Sequence, residues 1–151
     1  MTVRSPFRTT QRVYFDDLDA LNILHNVRFL LFMERARGEL FNALGFRWED
    51  PVEINPDKYH VVASHQIRYL RPVRGEGEVL VEPTPVHLGR SSLLLSAAPR
   101  RRPGAPGYGA RRKRLVRLDP ADDRPCSWSE RFRAAMDPLV RPDQRATIAE
   151  R

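Results

Sequence analysis

With 151 residues, 41% of them hydrophobic, the chain can bury a core as one domain without metal or disulfide staples and is too apolar for wholesale disorder. The single cysteine, Cys126, excludes an internal disulfide, and no apolar run approaches the roughly 18 residues of a membrane span. A net charge of +7 favours anionic partners (nucleic acid, anionic lipid or a phosphorylated cofactor) without choosing among them. The first residues lack the basic-then-apolar pattern of a secretion signal, so a cytoplasmic protein is expected.

Thr9 to Phe15 (TTQRVYF) carries β-branched and aromatic residues in loose alternation and reads as a strand. Asp16 to Asn26 is a turn-rich connector, in which Asp16 and Asp17 read as solvated turn acids. From Val27 to Leu44 the period becomes helical. Phe29, Met33, Ala36, Leu40 and Leu44 recur every three or four residues, and Leu31 and Phe32 widen the apolar side toward deep burial. Asn26 is the expected N-cap and Gly45 the expected stop.

Trp48 to Asp57, with two prolines and several acids, reads as a loop. Strands then follow one another. Val61, Ala63, Ile67 and Tyr69 share one face of a run ending at Pro72. Val79 and Val81 open the next after a Gly75-Glu76-Gly77 turn. Ser91 to Ala98 is a third, and Leu115 to Leu118 a short fourth. Ser129 to Leu139 is expected as a terminal helix, followed by a polar, loose tail. A strand, an apolar helix and a meander of strands make an α+β layout in which the sheet covers the helix.

The stretch Pro99 to Arg114 (PRRRPGAPGYGARRKR) is a poor strand former. It reads as a solvated loop, as a loop whose arginines contact phosphates, or as a nonspecific nucleic-acid patch. Pro, Arg, Gly and Ala are also what all-GC codons encode, so a local reading-frame slip gives the same composition.

Three segments carry a resemblance: Phe15-Asp16-Asp17-Leu18-Asp19-Ala20, His25-Asn26-Val27-Arg28-Phe29-Leu30 and Glu34-Arg35-Ala36-Arg37. Together with Gly45 and the IRYLRPV run of Ile67 to Val73, they make Thr9 to Leu118 resemble the hotdog-fold acyl-CoA thioesterases of the 4-hydroxybenzoyl-CoA type. The resemblance implies a five-stranded antiparallel sheet wrapped around a long central helix. That domain would span residues 1–125, with 126–151 a C-terminal extension. Chains would pair into a continuous sheet as a dimer or dimer of dimers, with the active site at their interface. The substrate would be an acyl-CoA or acyl-carrier-protein thioester.

The resemblance also assigns roles. Asp19 matches the catalytic aspartate, as nucleophile or as general base on water. Asn26 matches the residue whose backbone N–H polarises the thioester carbonyl. His25 is a candidate for contact with substrate or water, Phe29 for the acyl tunnel, and Arg90, Ser91 and Ser92 for pocket or CoA contacts. Asn22 stands where the family has glycine; asparagine tolerates a left-handed backbone, so the turn is expected to survive.

The chemistry fits these residue types. A thioester has a good leaving group and needs a carboxylate to attack or to activate water, plus a donor for the oxyanion. A helix N-terminus offers unpaired N–H groups and a positive dipole. Neither a metal nor an organic cofactor is required. His60, His65 and His87 lack ligand-like spacing, and no G-x-S-x-G elbow is present.

Read from the residues alone, Asp19 is equally a turn aspartate that accepts backbone N–H bonds. Glu34, three residues before Arg37, reads as half of a helix-surface pair, with a catalytic role as the alternative. A non-catalytic acyl-thioester binder of the same fold is the second functional class. No nucleic-acid fold motif occurs, so neither a specific nucleic acid nor a membrane is expected as partner.

Overall fold

A computed structural model describes residues 3–142. The tail expected to be loose lies largely outside the described residues. Strand β1 (Thr9–Val13) leads through a 3-10 turn at Phe15–Asp17 to helix α1 (Asn26–Ala43). Strands β2 (His60–Tyr69), β3 (Gly77–Val81), β4 (Thr84–Leu88), β5 (Ser92–Ala97) and β6 (Gly109–Arg117) follow, then helix α2 (Glu130–Met136).

The expected single five-stranded sheet wrapped around a long central helix is not what forms. β1 pairs with β3 in a two-stranded antiparallel sheet, and β2, β6, β5 and β4 form a four-stranded antiparallel sheet in that order. The division falls at Glu82-Pro83, between β3 and β4. Proline offers no N–H to a ladder, and Pro85 coincides with a register shift in the β4–β5 pairing. The helix has 18 residues and buries Phe29, Phe32, Met33, Ala36, Leu40 and Phe41, while Arg35 and Asn42 stay exposed. Its apolar stripe, not its whole circumference, meets the sheets.

α1 joins two core clusters. Its first half packs with Val13, Leu24, Val73, Val79, Val81 and Ala97. Leu40 and Phe41 pack with Leu93, Leu115, Trp128, Phe132 and Met136. Helix α2 is held by its N-cap: the Ser129 hydroxyl accepts from the Phe132 N–H at 3.1 Å and donates to Asp57, and that buried carboxylate also accepts the Ser129 N–H.

Three local expectations are corrected. β2 shifts register between Val62 and Ser64, so Val62, not Val61, shares the face of Ile67 and Tyr69. β4 is absent from the strands expected along the chain, because Pro83 before it and Pro85 within it oppose a strand. The strand expected at Leu115 to Leu118 begins at Gly109, and the second half of the basic stretch is the central strand β6, with Arg111 and Lys113 buried. Pairing on both edges, with β2 and β5, outweighs its weak strand propensity. Among the described residues no helix is long and apolar enough to cross a membrane.

Candidate active site

The connector between β1 and α1 is a folded turn. Asp19 Oδ1 accepts the backbone N–H of Leu21 at 2.8 Å and of Ile23 at 3.1 Å. Asn22 has φ +59°, the left-handed backbone its position requires. Asp17 is not a solvated acid. It is buried, its Oδ2 accepts the Tyr14 N–H at 2.9 Å, its carbonyl accepts the His25 N–H at 2.9 Å, and Arg28 lies 3.4 Å from Oδ1. These bonds aim the chain into the helix.

His25, rather than Asn26, is the N-cap of α1. Its Nδ1 accepts from the Val27 N–H at 3.3 Å, and the Asn26 side-chain oxygen accepts from the same N–H at 2.9 Å. The shift by one residue follows from the imidazole nitrogen serving as the capping acceptor. Asn26 is then the first helical residue, and its own N–H has no acceptor among the described residues.

Asp19, His25, Asn26 and Phe29 line one cleft of about 420 Å³ with Tyr69 and Arg71. Asp19 is exposed there, and its Oδ2 has no partner among the described residues. Tyr69 packs edge-on to Phe29, 5.2 Å between ring centres, and donates its hydroxyl to the Asn26 carbonyl at 3.2 Å. Arg71 Nη2 donates to the Gly107 carbonyl at 2.9 Å, tying the cleft to the basic loop. That loop is anchored on β3 by reciprocal backbone bonds between Arg100 and Leu80, and Arg101 and Arg102 are exposed. Neither Tyr69 nor Arg71 stands out as a site residue in the sequence; the IRYLRPV run is the signal that carries them.

Arg90, Ser91 and Ser92 lie elsewhere, at the β4–β5 turn. Their carbonyls accept from Trp128, Arg117 and Gly89 respectively, and none lines the cleft. Glu34 is also outside the cleft. Besides Arg37 Nη2 at 3.0 Å, it meets Lys113 Nζ at 2.6 Å on each oxygen and pairs with Arg111. Burial opposes its ionisation, yet the Lys113 bond and the charges of Arg111 and Arg37 bring its pKa down to about 2. Burial brings the Lys113 pKa down to about 8 despite Glu34. Among the described residues no three His, Cys, Asp or Glu side chains gather as a metal site.

The thioesterase superfamily matches residues 21–104. A thioesterase from Thermus thermophilus, whose crystal structure contains coenzyme A and Zn, is 31% identical with a TM-score of 0.72, covering 89% of this chain and 93% of its own. The PA2801 protein of Pseudomonas aeruginosa, a putative thioesterase, is 27% identical with a TM-score of 0.72, covering 85% and 95%. Slr0204, a 1,4-dihydroxy-2-naphthoyl-CoA thioesterase from Synechocystis, shares the fold at 12% identity, with a TM-score of 0.75 over 88% and 96%. No functionally curated protein matches the sequence. The fold is the α+β hotdog fold of thioesterases, and the cleft lies at its helix N-terminus. The chain belongs to the thioesterase superfamily, and its general chemistry is thioester hydrolysis.

Proposed function

We propose that the protein hydrolyses an acyl-CoA thioester in the cleft at the start of α1. The observation that carries this reading is the convergence of Asp19, His25 and Asn26 on one cleft beside the apolar ring of Phe29. Oδ1 of Asp19 is fixed by two backbone N–H groups, which leaves Oδ2 to work on the reacting atoms. As general base, Oδ2 takes a proton from water as the water oxygen attacks the thioester carbonyl carbon. As nucleophile, it attacks the same carbon and forms an anhydride that water then opens. In either case the carbonyl oxygen gains negative charge that the Asn26 N–H accommodates, and the C–S bond breaks to release the thiol and a carboxylic acid. Asp19 is the catalytic residue in this scheme, and His25, the helix cap, holds Asn26 in place.

The Thermus relative's coenzyme A supports CoA as the carrier. Its Zn has no counterpart in the donor set here, because no trio of ligating side chains gathers among the described residues, and no step runs through a metal. Phe29 and Tyr69 form the apolar wall against the acyl group, and the arginines of the neighbouring basic loop face the anionic carrier. Arg90, Ser91 and Ser92 reach a carrier only from a partner subunit. β2 supports such pairing: it is an edge strand exposed from Val61 to Gln66, with Val61 at 47% and Val62 at 43% exposure. A bare edge of this kind is a template for a second chain. In light scattering the chain should run at twice its 17.5 kDa mass or at a higher even multiple.

The test is free-thiol release from short, long and aromatic acyl-CoAs. Release well above the uncatalysed rate for one class supports the reading and names the acyl group. No release from any of them refutes CoA-thioester hydrolysis.

A further inference from the structure

The charge cluster beneath β6 is unbalanced. Arg37, Arg111 and Lys113 bring three positive charges to one carboxylate, Glu34, a surplus of two. The Arg111 and Lys113 side chains are only 4% and 3% exposed. Both Glu34 oxygens are engaged, and Arg111 Nε, Arg111 Nη1 and Arg37 Nε remain buried without an acceptor among the described residues. Buried N–H donors are costly when unpaired, and buried charge more so. His60 does not relieve the surplus: its Nε2 faces Arg37 at 3.0 Å and its Nδ1 the Asp57 carbonyl at 2.7 Å. Asp57 itself is committed to Ser129 and Arg117.

Arg37, Arg111 and Lys113 also line a small pocket of about 10 Å³, shared with Met33, Ser96 and Ala97. That is the space of roughly one water-sized particle. That volume is too small to hold sulfate, phosphate or an organic acid whole and matches a monatomic ion better. A water there offers two lone pairs and no charge, and so leaves the surplus in place.

We propose that the pocket between Arg37, Ser96, Arg111 and Lys113 binds a halide ion, chloride in solution, as a structural counterion to the cationic cluster. The ion accepts from Arg111 Nε and Nη1 and Arg37 Nε, with the Ser96 hydroxyl in reach. The site is separate from the catalytic cleft, and its occupancy does not depend on the proposed reaction.

A ligand that binds only the folded state raises the melting temperature by mass action. The full chain is melted in gluconate buffer at fixed ionic strength while chloride replaces gluconate. A saturable rise of about 2–4 °C is expected. Bromide should act similarly, and gluconate should not, being too large for the pocket. Lys113→Met removes one surplus charge while Glu34 keeps both arginines, so this variant should melt higher than wild type in gluconate and show a much weaker chloride response. A wild-type crystal soaked in sodium bromide should give an anomalous peak beside Arg111, which decides the matter even if the variant does not fold. A flat chloride titration at constant ionic strength, or a bromide-soaked crystal with no peak in this pocket, overturns the proposal.

Discussion

The Tyr69 hydroxyl donates to the carbonyl of Asn26 at 3.2 Å, joining the end of β2 to the first residue of α1. Through this bond the edge strand and the helix N-terminus form one wall of the cleft. Tyr69→Phe keeps the edge-on contact with Phe29 and removes only the bond. Net hydrogen-bond contributions are about 1 kcal/mol, and half-exposed partners contribute less. Urea unfolding should therefore show a loss of about 1 kcal/mol or less, while thiol release falls by less than about tenfold. A loss of release on the order of a hundredfold would give the hydroxyl a direct part in the chemistry.

Gly109 begins β6 opposite Tyr69 and lies against the ring of Phe29, both of which line the cleft. A Cβ there would stand 2.5 Å from the Arg68 carbonyl oxygen and 2.9 Å from Phe29 Cζ. The carbonyl belongs to the paired strand and cannot swing away, so the strand or the Phe29 ring must shift. Gly109→Ala should cost about 1–3 kcal/mol in urea unfolding, as overpacking does. It should also raise KM for the preferred thioester, because the displaced ring intrudes on the cleft.

Acid stability should follow two partly buried groups, His60 and Glu34, in adjoining windows. His60 is packed among Phe41, Trp48 and Trp128, and burial, with Arg37 and Lys113 adding and the Asp57 carbonyl opposing, brings its pKa from 6.5 to about 4. The unfolded chain then binds more protons than the folded one between those values, so stability falls as pH drops from 6.5 to 4. Glu34, lowered from 4.5 to about 2, contributes stability present above pH 4.5 and lost progressively toward pH 2. His60→Gln should flatten the pH dependence of unfolding free energy in the upper window and leave the lower one intact. An unchanged slope between pH 6.5 and 4 in this variant would show that His60 is not its source.

Much of this is legible in the sequence because it rests on local rules. The three-and-four spacing of Phe29, Met33, Ala36 and Leu40 marks the buried stripe of α1, and Gly45, at φ +87°, ends it. Asn22 takes the left-handed turn expected of it. What escapes depends on contacts between distant residues. β6 is a strand because β2 and β5 hold both its edges, and Arg111 and Lys113 can be buried in it because Glu34 meets them from the helix. No window along the chain contains that relation. β4 escapes for the opposite reason: Pro83 and Pro85 are strong local signals against a strand, overridden at the outer edge of the sheet. Within the cleft, Asp19, His25, Asn26 and Phe29 are identifiable from the sequence, whereas Tyr69 and Arg71 join them only through the fold.

The most direct test of the account is Asp19→Asn, assayed beside wild type for thiol release on whichever acyl-CoA the enzyme prefers. Asparagine keeps an oxygen for the Leu21 and Ile23 N–H groups and so preserves the turn, which circular dichroism and an unchanged melting temperature would verify. Loss of the carboxylate as base or nucleophile should lower kcat by about 10²–10⁴. A folded Asp19→Asn protein that releases thiol at the wild-type rate would contradict the assignment and reduce Asp19 to a residue of the turn.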